Sequence, residues 1–144
     1  MYPVRVMAVV IGLAAGSAEA GETLNFVERV TNGETLLHRD RNNQDALGDL
    51  IVFSNTLYTS DNRQPLGTDQ GYCVRVVVGK SWECFWTVQL ADGQIMSHGP
   101  FNDTGESSMA VTGGSGKYAG ARGVLTVRAR SDKTPSYNFR YELL

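Results

Sequence analysis

Past Gly21 the chain shows no ten-residue run with sustained helical periodicity; what recurs is a stretch of alternating residues closed off by Gly, Asn, Asp or Pro. A two-residue period puts successive side chains on opposite faces of an extended chain, so these stretches read as strands. Strands are expected at Thr23 to Val30, Leu50 to Tyr58, Gly71 to Val78, Trp82 to Leu90, Gln94 to His98, Ser107 to Thr112, Gly123 to Ser131 and Ser136 to Leu144, with a short helical turn near Asn43 to Leu47. Asp61-Asn62, Gly79-Lys80, Asp92-Gly93 and Lys133-Thr134-Pro135 fall between them and carry turn chemistry. Eight antiparallel strands of this length can close into a barrel, which removes exposed edges and leaves a lumen for one small ligand. The pattern alone leaves a sandwich open.

The last stretch alternates most clearly, with Tyr137, Phe139, Tyr141 and Leu143 on one face and Asn138, Arg140 and Glu142 on the other. Lying at the chain end, it is expected to close the sheet. The low charged fraction (19%) and the 16 glycines argue against a disordered chain or a helical bundle. Thirteen Lys plus Arg against fifteen Asp plus Glu leave no positive field for a phosphate backbone, so no nucleic-acid partner is expected.

Part of the apolar content belongs to a different kind of segment. Met1 to Ala20 has Arg5 near its start, an apolar run from Val6 to Ala15 and Ala18-Glu19-Ala20 at its end, the three parts of a cleavable export signal. The run is too short to span a bilayer, which takes about 20 apolar residues. Cleavage after Ala20 would leave residues 21–144 as a single domain, secreted or periplasmic, with no membrane partner. In such an oxidising compartment Cys73 and Cys84, flanking the Gly79-Lys80 turn, are expected to form a disulfide. Closing so short a loop stabilises by roughly 2 to 3 kcal/mol on the chain-entropy account. Two cysteines and two histidines do not make a four-ligand zinc site unless all converge, and no metal site is expected.

Few residues carry chemistry. In the first strand Glu28 shares a face with Leu24, Phe26 and Val30. If that face lines the barrel, the carboxyl is desolvated and able to hold or move a proton near neutral pH; if it faces solvent, an arginine such as Arg128 is its natural partner. Asn55 shares a face with Ile51, Phe53 and Leu57, where a buried amide needs partners and could orient a polar ligand or a water, or simply satisfy a neighbouring strand. Trp82, Trp86, Phe85, Phe101, Tyr72 and Tyr118 are expected around the cavity. Gly113, Gly114, Gly116, Gly120 and Gly123 lack the phosphate-loop spacing and read as a tight barrel-end connection. His98 and His38 lack an obvious acidic or serine partner in sequence.

Taken together, Gly48-Asp49-Leu50-Ile51-Val52-Phe53-Ser54-Asn55-Thr56-Leu57-Tyr58, Gly67, Gly71-Tyr72-Cys73-Val74, Gly99-Pro100-Phe101, Thr112-Gly113-Gly114-Ser115-Gly116 and Gly120-Ala121-Arg122-Gly123 resemble the allene oxide cyclase barrel family. The more distant dirigent proteins share the glycine-rich block. The resemblance implies an all-β, eight-stranded antiparallel barrel with an apolar lumen, no metal or organic cofactor, and association as a homodimer or homotrimer. It also implies a cofactor-independent, isomerase-like cyclase acting on an apolar unsaturated, polyketide-like or phenolic ligand. A dirigent-type barrel that binds such a ligand without turnover of its own is the alternative.

Residue by residue, Phe53 and Asn55 match the family's lumen phenylalanine and water-holding asparagine, Cys73 a lumen cysteine and Phe101 a cavity aromatic. Glu28 corresponds to an acid on the first strand that is thought to stabilise developing positive charge. Two plant features are missing: no Ser-Pro pair is found in Asn32 to Arg41, and Val30 stands where a second asparagine would fall. Glu28 and Asn55 are thus the expected catalytic pair, with Phe53, Trp86 and Phe101 the expected substrate-binding residues.

Overall fold

The computed structural model describes residues 21–31, 35–37 and 44–144. Nine strands are present: β1 (Thr23–Arg29), β2 (Thr35–Leu37), β3 (Leu50–Thr59), β4 (Pro65–Val77), β5 (Ser81–Leu90), β6 (Gly93–Asn102), β7 (Glu106–Gly116), β8 (Gly123–Ala129) and β9 (Ser136–Leu143). Each pairs antiparallel with its neighbours in the order β1, β9, β8, β7, β6, β5, β4, β3, β2, and a further pairing of β1 with β3 closes the ring. The result is an eight-stranded antiparallel barrel, and no helix occurs among the described residues. β2 is not a ninth stave: β1 lies beside Thr56–Thr59 of β3 and β2 beside Leu50–Val52, so the two share one side of that strand.

All eight expected strands are present, with shifted boundaries. The fourth element begins at Pro65 rather than Gly71, and β7 runs through Gly113, Gly114 and Gly116, leaving only Lys117 to Arg122 as the connection. Glycine is required in that turn at position 116, where φ is +59° and a Cβ would sit 2.4 Å from the Asp92 carbonyl oxygen. The last strand closes the ring as expected: β9 pairs with β1 along Thr23–Arg29, and β1 pairs on its other side with β3. The export-like segment, His38 and most of Asn32 to Arg41 lie outside the described residues, as does the start of the expected helical turn.

Alternation delivers the core. Val88, Ile95, Leu125, Val127, Phe139 and Tyr141 point inward from β5, β6, β8 and β9 and are essentially inaccessible. At one barrel end the chain folds over the lumen, with Tyr118 buried beside Leu143. The other end is a mouth, braced by a clasp around buried Arg75 on β4. Its guanidinium meets Asp45 at 2.8 Å and Asp103 at 2.7 Å and lies 3.9 Å above the Trp82 ring, while Trp82 Nε1 donates to Asp103 at 3.1 Å. Cys73 and Cys84 face each other directly across β4 and β5, their Cα atoms 4.1 Å apart, and are disulfide-bonded.

Candidate functional site

Inward positions of β1, β3, β4, β6 and β9 carry polar groups within a largely apolar interior. Glu28, Asn55, Asp69, Ser97 and Tyr141 are each at most 2% exposed. Register brings the first three together: Asn55 lies opposite Asp69 across β3 and β4, and Glu28 lies opposite Leu57 on β3, two residues from Asn55. Asn55 Nδ2 donates to Glu28 Oε1 at 2.5 Å, and its Oδ1 accepts from the Thr31 backbone at 3.2 Å. Asp69 Oδ2 accepts from Trp86 Nε1 at 2.7 Å, and the Asp69 and Glu28 carboxyls are neighbours in this buried layer, through Asn55, which bonds Glu28 and faces Asp69. Glu28 is therefore not solvent-facing, and Arg128 pairs instead with Glu106 at 2.8 Å on the outer surface.

Burial sets the electrostatics. Removal from water pushes the Asp69 carboxyl up from 3.8 to about 6, while the Trp86 hydrogen bond and the neighbouring Glu28 restrain the rise. Burial also lifts the Tyr141 phenol far above its ordinary range, so this hydroxyl stays neutral. Ser97 faces it, outside ordinary hydrogen-bond geometry.

Above this layer lies a cavity of about 60 Å³ lined by Glu28, Ile51, Phe53, Cys73, Trp82, Trp86, Phe101 and Tyr137. Trp86 is its centre: its ring lies 5.1 Å from Phe53, 5.5 Å from Phe101 and 5.4 Å from Phe139, and Phe101 continues to Tyr137 at 5.7 Å. Gly71 makes this meeting possible. It sits between Phe53 and Trp86 in the strand pairing, and a Cβ there would lie 2.1 Å from the Phe85 carbonyl oxygen and 2.8 Å from the Phe53 ring. A larger depression, about 580 Å³, lies outside β1, β8 and β9, where its charges are already matched, Arg128 with Glu106 and Arg140 with Glu142.

The structure thus gathers Glu28, Asn55, Phe53, Trp86 and Phe101 in one place and moves three expected lining residues, Tyr72, Phe85 and Tyr118, away from it. Tyr72 and Phe85 are on the outer face, exposed and stacked 5.1 Å apart, because Cys73 and Trp86, their neighbours in sequence, take the inward positions. His98 stacks on Phe85 at 4.0 Å and does have an acidic partner, Glu83 at 2.8 Å, also on the outside and remote from the lumen. Tyr118 is at the closed end. Sequence reasoning missed Asp69, Ser97 and Arg75. Asp69 was findable: Gly67, Asp69, Gly71, Cys73 and Arg75 share one parity, but only if the strand is extended back through its glycines. Among the described residues no group of three or more His, Cys, Asp or Glu side chains could hold a metal ion.

These features define a small closed β-barrel with an aromatic mouth and buried carboxyls beneath it. The allene oxide cyclase family model matches residues 22–131, and the chain belongs to that family. Among solved structures, the chain is similar to a pyocyanin demethylase at 26% identity, covering 85% of this chain and 100% of that one with a TM-score of 0.72. It is also similar to a pterocarpan synthase dirigent protein (16% identity, 88% and 96% covered, TM-score 0.73) and to an exo-specific intermolecular Diels-Alderase (14%, 83% and 98%, 0.64). At these last two identities the likeness is one of fold.

Proposed function

We propose that this barrel binds an apolar, unsaturated small molecule at its aromatic mouth and steers its stereoselective ring closure without a cofactor. The observation that carries the reading is the position of Glu28, a buried carboxyl that is itself part of the wall of a cavity otherwise made of rings, Ile51 and the disulfide. Phe53, Trp86 and Phe101 hold the ligand folded in a near-attack conformer, which removes entropy from the barrier. Glu28, fixed by Asn55, stabilises charge that develops as the ring closes. Neither residue acts as a nucleophile. Family membership and the barrel relatives named as a dirigent protein and a Diels-Alderase support the same class of role.

The experiment offers purified protein a panel of substrates: an allene oxide generated in place, a tethered diene and dienophile, and pyocyanin, the compound named in the 26% identical relative. Accelerated or stereochemically biased turnover by the protein alone supports the enzyme reading. Bias seen only beside an oxidase supports a dirigent-type binder, the second reading, which uses the same cavity and which the absence of a Ser-Pro pair in Asn32 to Arg41 favours. For a substrate that turns over, Glu28→Gln should cut turnover by about 10²-fold or more with little change in affinity; an unchanged rate removes Glu28 from the mechanism.

The same reading places the protein outside the cytoplasm, with residues 1–20 removed. The Cys73–Cys84 disulfide supports this placement, since such bonds persist in oxidising compartments. Self-association as a homodimer or homotrimer completes it, supported by the exposed Tyr72, Phe85 and His98 stack, and solution mass tests it.

A further inference from the structure

The outer hydrogen bonds of Glu28 and Asp69 determine what lies between them. Each carboxyl has one oxygen committed to a neutral donor, Glu28 Oε1 to the Asn55 amide and Asp69 Oδ2 to the Trp86 indole. Neither donor can surrender a proton at working pH, so each holds its carboxyl in a fixed plane without neutralising it. Asn55, which holds Glu28, lies directly opposite Asp69 in the β3–β4 pairing, so the two buried carboxyls are neighbours in one layer and each bears on the charge of the other. A carboxylate only accepts, so a hydrogen bond between them requires a proton on one of them. Two ionised carboxylates in contact, with both side chains at most 2% exposed, would face strong mutual repulsion with almost no water to screen it.

We propose that Glu28 and Asp69 form a one-proton dyad, in which Glu28 meets the ligand and Asp69 is a positioning residue that takes up charge behind it. The groups facing the pair from the surrounding elements are Asn55 on β3, Trp86 on β5, Ser97 on β6 and Tyr141 on β9. The pair cycles between one and two protons, because losing the last would leave a buried dianion. In its monoanionic form it accepts a proton from a ligand C–H or O–H: the proton arrives at Glu28 while the one Glu28 held passes to Asp69. Reversing the transfer at another ligand atom returns it. No electrons change hands and no group leaves, so the net reaction is an isomerisation, consistent with ring closure of an unsaturated ligand. Only this catalytic use rests on the proposed function; the dyad itself is tested without a substrate.

The test is a carboxyl ¹³C titration of the wild-type protein, followed together with the two indole N–H signals. Trp82, bonded to Asp103 rather than Asp69, is the internal control for folding and for general pH effects. Between about pH 4 and pH 8 the Glu28 and Asp69 carbons should together report release of one proton rather than two. The Trp86 indole should move with that step while Trp82 does not follow it, and Asp69→Asn should abolish the Trp86 movement. Full ionisation of both carbons at about pH 7 would overturn the dyad. So would a Trp86 signal that titrates unchanged in Asp69→Asn. Because the carbon titration uses only the wild type, the proposal remains testable if a variant does not fold.

Discussion

Replacing Asp69 by Asn tests the buried carboxyl through stability. The substitution keeps size and shape, leaves an oxygen to accept from Trp86 Nε1 and offers an N–H to Glu28, but it cannot titrate. In the folded protein the Asp69 carboxyl is raised from 3.8 to about 6, chiefly by burial. Between those values the native state therefore holds a proton that the unfolded chain has released. The stability this supplies is fully present below about pH 4 and is lost as pH rises through about pH 6. A rise of about 2 pH units corresponds to about 3 kcal/mol. Urea unfolding followed by far-ultraviolet circular dichroism, which does not depend on the Trp86 environment, should show Asp69→Asn gaining on the wild type by about 2.4 kcal/mol of this between pH 4 and pH 7. Glu28 is present in both proteins, and a parallel Glu28→Gln series separates its share. A difference that stays flat within about 0.5 kcal/mol would mean that burial does not raise Asp69. A difference that falls with pH would mean that Asp69 is a stabilised carboxylate.

Three other perturbations read the scaffold. Replacing both Cys73 and Cys84 by Ser should cost about 2 to 3 kcal/mol in urea unfolding, and a matched loss should appear when the wild type is reduced. Gly71→Ala forces a Cβ to within 2.1 Å of the Phe85 carbonyl oxygen and 2.8 Å of the Phe53 ring. It should destabilise by about 1 to 3 kcal/mol and shift the Trp86 indole signal, since backbone cannot step aside as a flexible side chain can. Phe101→Ala removes a half-buried ring from the mouth, so binding of a fluorescent apolar dye should tighten at a modest stability cost of about 1 to 2 kcal/mol; unchanged dye binding would show that Phe101 does not gate the cavity.

The parts of this architecture that were legible in the sequence are those where alternation and polarity conflict in the open. Glu28 and Asn55 interrupt apolar faces, and the structure places both in the lumen, touching. Asp69 was hidden because the glycines at 67 and 71 read as turn punctuation. In the fold they are strand positions, and Gly71 is small so that Phe53 and Trp86 can meet across it. Tyr72 and Phe85 show the opposite error: treated as aromatics they belong inside, but parity with Cys73 and Trp86 sends them out. β2 is three residues long, too short for any period to register. The contacts of Arg75 with Asp45 and Asp103 span 30 and 28 positions of sequence, beyond the reach of local pattern.

Shape and chemistry are divided between two layers of the lumen, and the division couples them. A cavity of about 60 Å³ is well below the roughly 300 Å³ at which small-molecule pockets begin, so an entering ligand must displace part of its own wall. Trp86 is the least able to move, held by the Asp69 hydrogen bond and by three ring contacts, whereas Phe53 and Phe101 are only half-buried at the mouth. Selection by shape therefore falls to the mouth rings, and Trp86 stays as a fixed partition between ligand and Asp69. On the proposed reading, an apolar ligand seated there also takes the remaining water from the exposed side of Glu28. That added desolvation disfavours the charged form of the pair, so the complex holds its proton more tightly than the free protein. By linkage the ligand then binds more tightly as the pair becomes protonated, and the act of closing the mouth primes the carboxyls beneath it.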